Sequence, residues 1–282
     1  MTTDVLGDVV ASAVGDAAAV EVIMPRGADP HDFAPSARQS EAMEGADLLI
    51  VNGAGFEEGM VDVVDAVAAG GTQVFTVADQ VDLITDDDPD HGDGGDEDDD
   101  DHDHGGADPH LWTDPERVAT ALAALEPVVA GLDGVDAVVL GAAIDVYVRE
   151  LAALVDDMGE TLAVVEEDRR VLVTNHEVFA YFAERFDFEV VGAIVPSLTT
   201  SAEPSAAEVE ELAGVIEQRS IPAIFAETTR ATRLADALAA EVGGGVEVVE
   251  LFSESLGEPG SGAETYLRMM RRNAELVAGA LS

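Results

Sequence analysis

Short runs of β-branched and aliphatic residues alternate with longer stretches whose apolar residues fall three and four apart. This alternation limits the chain to an α/β fold built from βαβ units with parallel sheets. The strand-like runs are AVEVIM (19–24), DLLIVN (47–52), QVFTVA (73–78), RVLVTN (170–175), FEVVGAIV (188–195), IPAIFA (221–226) and VEVVELF (246–252). Helical spacing occupies 4–14, 57–69, 205–218 and 263–281, and a further helix is expected from Pro115. No internal repeat is visible.

Two features divide the chain. From 135 to 165, Val135, Val139, Ala142, Val146, Leu151, Leu154, Met158, Leu162 and Val165 keep helical spacing. Unbroken, that helix spans about 45 Å, although Gly141 and Gly159 each weaken it by about 1 kcal/mol. A helix of this length between two α/β lobes acts as a stiff strut. The other feature is the run DDDPDHGDGGDEDDDDHDHGG from 86 to 106, too polar and too rich in glycine to pack, so 85–107 is expected to be a disordered loop. The expected organisation is an N-terminal α/β lobe over 1–132, a linking helix over 133–166 and a C-terminal α/β lobe over 167–282.

The chain carries 59 acidic and 13 basic residues, a net charge of −46, yet is 47% hydrophobic, which argues for a folded protein. Every basic residue is Arg. A globular chain this acidic is expected from a halophile, because molar salt screens charge over about 3 Å. Nucleic acid and anionic membranes are poor partners for it. With no Lys there is no P-loop lysine or Schiff base, and with no Cys there is no thiol nucleophile, disulfide or thiolate metal site. His176-Glu177 begins like a zinc-protease helix motif, but Ala180 stands where the second histidine belongs. No apolar run reaches about 18 residues. The opening MTTDVLGDVV has no basic segment and carries Asp4 and Asp8, so it does not read as a signal peptide.

Four of the six histidines lie in or at the end of the acidic run. His91, His102 and His104 sit inside it, where they are either parts of a solvated spacer or weak accessory collectors of metal. The remaining three stand outside the interior of the run. His31 follows the run 19–24, His110 lies in DPHLWTDP, and His176 ends the run 170–175. Glu254, in LFSESLG, follows 246–252. Ligands gather beyond the carboxyl ends of parallel strands, and three imidazoles with one carboxylate suit a borderline cation such as zinc. Taken singly, each residue has a plainer reading. His31 between Pro30 and Asp32 suits a turn, His110 beside the single Trp suits a cap or a packing role, His176 suits a helix start, and Glu254 suits a solvated carboxylate.

GADPHDFAPSARQSEAMEGADLLIVNGAGFE resembles the N-lobe signature of the metal-binding receptors (cluster A-I solute-binding proteins) of bacterial and archaeal zinc and manganese ABC importers. DPHLWTDP is similar to that family's most specific motif, HEVFAYF to its third site, and LFSESLG with TYLRMMRRNAELVAGAL to its closing pattern. An acidic, His-rich loop before the second histidine resembles the zinc-importing members. The resemblance implies two Rossmann-like lobes joined by one long rigid helix, with metal held between them by His31, His110 and His176. Glu254 stands where the family usually has Asp, so a water could take its place, and Glu227 matches a glutamate expected to support the site without binding. The resemblance further implies a monomeric, extracytoplasmic receptor that delivers Zn²⁺, with Mn²⁺ as the alternative, to an ABC permease in the membrane. The chain departs from the family in beginning after its usual first strand and in lacking a signal sequence and a lipid-bearing Cys, which suggests a start placed too far downstream or a trimmed form. A reading of another class is a zinc hydrolase with water on an open position and Glu227 or Glu177 as general base.

Overall fold

The computed structural model of the chain describes residues 1–85 and 106–282. His91, His102, His104 and residues 86–105 of the loop expected around them lie outside the described residues, while Thr85 and Ala107 at its two ends form an antiparallel bridge. Within them the architecture is α/β with two parallel sheets, one in each lobe.

The first lobe contains α1 (Asp4–Val14), α2 (Ala37–Glu44), β1 (Leu48–Val51), α3 (Val61–Gly70), β2 (Gln73–Thr76) and α4 (Pro115–Ala130). β1 and β2 pair in parallel, Leu48 opposite Gln73 through Val51 opposite Thr76. The expected strand at 19–24 does not form. The run pairs irregularly with Met1 and Thr2: the Met1 amino group donates to the Glu21 carbonyl (3.0 Å), Ile23 and Met24 N–H donate to the Met1 and Thr2 carbonyls (2.9 Å each), and Thr2 N–H donates to the Ile50 carbonyl (3.1 Å). The rest of the run has no ladder partner, and a cavity of about 540 Å³ lined by Met1, Val20, Ile23, Met43, Leu49 and Val129 lies beside it.

The second lobe follows its sequence pattern closely. β3 (Val171–Thr174), α6 (Ala180–Phe186), β4 (Glu189–Ala193), α7 (Ala206–Arg219), β5 (Ala223–Glu227), α8 (Arg233–Val242) and β6 (Glu247–Leu251) alternate as expected, and α9 (Tyr266–Leu281) closes the chain. The sheet order is β4-β3-β5-β6, all parallel. Val173, Ile224 and Ala226 bury against Leu212, Ile216 and Leu238 of the covering helices. Their burial contributes about 1.5–3 kcal/mol for each large side chain.

Between the lobes, α5 runs unbroken from Ala137 to Leu162, roughly 39 Å. Asp136 caps it by accepting from the Val138 and Val139 N–H groups. The buried stripe is Leu140, Ile144, Tyr147, Leu151, Leu154, Met158 and Leu162, which matches the expected positions only in its second half. Val139 and Val146 are 53% and 50% exposed. Two apolar stripes compete in the first half, and the bulkier Leu140-Ile144-Tyr147 stripe wins because it removes more area from water. Gly141 leaves the helix intact and permits close packing, since a Cβ there would meet Glu126 Oε1 of α4 at 3.0 Å. One continuous apolar core takes in α1, α4, α5, α6 and α9, so the strut is packed against both halves of the chain.

Candidate metal centre

The carboxyl ends of the strands meet in the cleft between the lobes. His176 lies two residues beyond β3 and Glu254 three beyond β6, while Glu227 is the last residue of β5. His110 occupies the turn that leads through a 3-10 segment (Leu111–Thr113) into α4. His31 lies beyond the end of the extended run 19–24. His31, His110, His176 and Glu254 are all buried, and each offers one ligand-type atom within 4.8 Å of the others. His110 Nε2 and His176 Nε2 stand 3.3 Å apart, close to the separation of about 3.3–3.4 Å between two nitrogens that share a tetrahedral zinc at 2.0–2.1 Å. Glu254 Oε1 lies 3.0 Å from His31 Nε2, 3.3 Å from His176 Nε2 and 3.7 Å from His110 Nε2. The methylene that distinguishes Glu254 from aspartate therefore does not keep its carboxylate out of the centre.

Each imidazole is turned by a carboxylate behind it. His31 Nδ1 faces Glu58 Oε1 at 3.1 Å, His110 Nδ1 faces Asp108 Oδ1 at 2.7 Å, and His176 Nδ1 is tightly bonded to Glu227. A proton held on Nδ1 leaves the Nε2 lone pair aimed at the centre, the arrangement that metal-binding histidines adopt. His31 Nε2 and both oxygens of Glu254 are buried with no hydrogen-bond partner outside this cluster. Leaving such atoms unpaired costs free energy, and a cation at the centre would satisfy all three. The donor set thus fits a divalent metal.

The electrostatics point the same way. Burial opposes charge on His110 and His176, yet the Asp108 and Glu227 carboxylates outweigh it: the His110 pKa is raised, and that of His176 rises to about 10. Burial opposes ionisation of Glu254 too, but hydrogen bonding from His110, His176 and His31 holds its carboxyl well below the usual range. In the absence of metal the site therefore balances its carboxylate with protons on imidazole.

Of the two general bases considered, Glu227 has both oxygens engaged, one with His176 Nδ1 and the other accepting from the Ser253 hydroxyl at 2.9 Å. Glu177 N–H donates to the Ser197 carbonyl at 3.1 Å. Glu227 therefore supplies no free carboxylate of the kind hydrolysis needs.

Sequence reasoning missed Glu58 and Asp108 as orienting groups. One signal for them was present, because Gly-Ala-Asp-Pro-His occurs at 27–31 and again at 106–110. In both copies the Asp accepts from the backbone N–H of its own His, Asp29 from His31 at 3.0 Å and Asp108 from His110 at 2.8 Å. This Asx turn sets the direction of the histidine. Glu58, by contrast, is brought in by tertiary structure: it starts a 3-10 turn (Glu58–Met60) whose Gly59 would place a Cβ 2.4 Å from the Phe33 carbonyl oxygen. Gly59→Ala is therefore expected to push apart the His31 and Glu58 segments. It should destabilise the fold by about 1–3 kcal/mol and weaken metal binding more than an alanine at Gly55, where no atom stands within 4 Å of the added carbon but the φ of +77° is itself strained. Thermal melts and metal titrations of the two variants check the difference.

Comparison with known proteins shows the family and the fold. Residues 1–280 match the family described as "Zinc-uptake complex component A periplasmic". The chain is 28% identical to the zinc-binding protein TroA of Treponema pallidum over 264 residues, 92% of this chain and 80% of that protein. It is 26% identical to the manganese-binding lipoprotein MntA of Halalkalibacterium halodurans over 279 residues, 99% of this chain and 86% of that one. The solved structure of the periplasmic zinc-binding protein TroA from T. pallidum superposes with a TM-score of 0.87 at 27% identity, covering 100% of this chain and 97% of that one.

Proposed function

We propose that this chain, which belongs to the periplasmic zinc-uptake complex component A family, captures Zn²⁺ with His31, His110, His176 and Glu254 and presents it to the permease of an ABC importer. The family consists of substrate-binding components of metal-ion importers and not of enzymes, which sets the hydrolase reading aside. One observation carries the choice of ligands: three buried imidazoles turn Nε2 toward a buried carboxylate whose two oxygens have no other partner. We take 1–132 and 167–282 as the two lobes that hold the metal and 133–166 as the segment that joins them. No helix among the described residues is long and apolar enough to cross a membrane, and relatives carry the names of periplasmic or lipoprotein receptors. A site of action outside the membrane is part of the same proposal.

Zinc is favoured over manganese because three neutral imidazoles suit a borderline cation better than one that prefers carboxylate and water oxygens. Manganese stays as the second reading for two reasons: a relative is named for it, and a Glu254 that grips with both oxygens would raise the coordination number. The test is a titration with Zn²⁺ in molar KCl against a calibrated chelator and Mn²⁺, using the full chain and a variant lacking residues 86–106. One tightly bound zinc per chain in both proteins, resistant to manganese, is expected. Loss of tight binding in the shortened, folded variant would move the site into the acidic run and end this reading.

The same titration run across pH has a defined sign. His110 and His176 keep their protons to higher pH than free imidazole when no metal is present, so zinc must displace them. Apparent affinity is expected to rise with pH through neutrality, by on the order of tenfold per unit for each proton released. A flat profile from pH 6 to 8 would count against imidazole ligation.

A further inference from the structure

The segment that carries His31 is tied to the opposite lobe at both of its ends, and the two ties differ in kind. At one end, Arg26 donates to the Gly257 and Glu264 carbonyls (2.5 and 2.8 Å), and Gly27 N–H donates to Ser255 Oγ (2.7 Å). Ser255 and Leu256 in turn donate to the buried Asp4 carboxylate (2.8 and 3.0 Å). Leu256 and Tyr266 of this end belong to the continuous core around α5, so separation there would expose apolar surface to water.

The other end is held by polar groups alone. Arg230 places Nε 2.6 Å from Asp29 Oδ2 and donates from a terminal nitrogen to Asp32 Oδ2 (3.2 Å) and to the Thr200 carbonyl (2.8 Å). Thr200 donates its hydroxyl to the same Asp29 oxygen (2.8 Å), and Ser201 donates to Asp32 (3.4 Å). Asp32 is 60% exposed, Arg230 33% and Asp29 only 11% along their side chains, so the tie runs from solvent inward. Each of these contacts joins polar or charged groups, which water can solvate when they separate.

The two Gly-Ala-Asp-Pro-His copies show what this tie adds. Asp108 turns one oxygen onto its own histidine ring. Asp29 instead leaves that ring to Glu58 and spends its second oxygen on Arg230 and Thr200 across the cleft. Arg230 also follows Glu227, the partner of His176, by three residues, and its N–H donates to the Glu227 carbonyl at 3.4 Å. A single turn after β5 thus orients one histidine and restrains the segment that carries another.

From this geometry we infer that Arg230 is a positioning residue that latches the cleft at its mouth, opposite the α5 strut, and that its release sets the rate at which metal leaves. The inference rests on the metal-binding reading above. The apolar end acts as the hinge, and the path for the ion lies between 29–32 and 200–201. Contacts of 2.6–3.2 Å are shorter than or comparable to the screening length of about 3 Å in molar salt, so the latch holds under those conditions.

The experiment uses the full chain in molar KCl and the variants R230Q and R26Q. Hydrogen exchange of the peptide spanning 27–34 is measured without metal, and zinc release is followed by stopped-flow transfer to a chelator. R230Q is expected to speed exchange of 27–34 about fivefold and zinc release on the order of tenfold, with one zinc per chain retained. R26Q is expected to leave zinc release within about twofold of the parent. Exchange in R230Q equal to the parent's overturns the latch, and it does so whether or not zinc binds, because that arm contains no metal. Release rates altered equally by R26Q and R230Q overturn the assignment of the mouth to the Arg230 end. Absence of tight zinc in the parent protein with faster exchange in R230Q would support the latch while refuting the metal reading on which its role in release depends.

Discussion

His176→Ala should weaken zinc binding by at least on the order of a hundredfold while leaving the protein folded. Four-ligand zinc sites are worth about 10–16 kcal/mol near neutral pH. One ligand's share is therefore about 3 kcal/mol, which is about a hundredfold in dissociation constant. His176 is the strongest choice for this test because it stands at the meeting point of the site. Its Nε2 is 3.3 Å from His110 Nε2 and 3.3 Å from Glu254 Oε1, and its ring is buried. The substitution removes a donor and leaves one oxygen of the buried Glu227 carboxylate without its imidazole partner, while the other keeps the Ser253 hydroxyl. Glu227→Gln separates the two roles. It keeps the imidazole and removes the charge that orients it, and it should cost about 10–100-fold, a smaller loss than that of the histidine. Chelator competition with far-UV circular dichroism as the folding control distinguishes the cases. Parent-like zinc affinity in folded His176→Ala would show that the ion is held elsewhere.

How much of this was legible in the sequence depended on whether a residue's neighbours were local. The alternation of β3, β4, β5 and β6 with helices was readable because the central strands β3 and β5 are buried along their whole length and the covering helices carry their own periodic stripes. The run 19–24 carries the same β-branched signature, but a strand needs a partner along its length, and among the described residues this run bonds through its backbone to Met1 and Thr2. The face of α5 was misread in its first half because the spacing of Val139 and Val146 is as helical as that of Leu140 and Tyr147. Only the bulk of the residues that meet the core decides between them. His31, His110, His176 and Glu254 stood out as strand-end positions of the right chemistry. Asp108 was recoverable from the repeated Asp-Pro-His turn and Glu227 was expected from the family resemblance, but Glu58 lies 27 residues from the histidine it orients, and no local pattern announces such a partner.

The motif DPHLWTDP does more than hold a ligand, and Trp112→Ala should show it as the largest loss of stability among the substitutions considered. The indole is buried, its ring 4.6 Å from Phe56 and 5.4 Å from the His110 ring. Its Nε1–H donates to the Ser253 carbonyl at 2.8 Å, beside Glu254, and the Trp112 carbonyl accepts from the Tyr266 hydroxyl at 2.7 Å. Two residues on, Asp114 caps α4 and receives both nitrogens of the Arg185 fork at 2.9 and 2.8 Å. One short segment thus joins the first lobe to three elements of the second. Truncating a buried Trp to Ala costs about 3–5 kcal/mol, which for a chain of this size lowers Tm by on the order of 10 °C. Trp112→Phe keeps most of the ring contacts and leaves the Ser253 carbonyl without its donor. It should cost only about 1–3 kcal/mol, yet it loosens the loop that carries Glu254. The two variants therefore order differently in two measurements: alanine loses far more in the metal-free melt, while phenylalanine loses affinity for zinc out of proportion to its small change in Tm. If the phenylalanine variant bound zinc as tightly as the parent, the Trp112–Ser253 bond would be a packing detail, and Glu254 would be held in place by the Asp4 contacts to Ser255 and Leu256 alone.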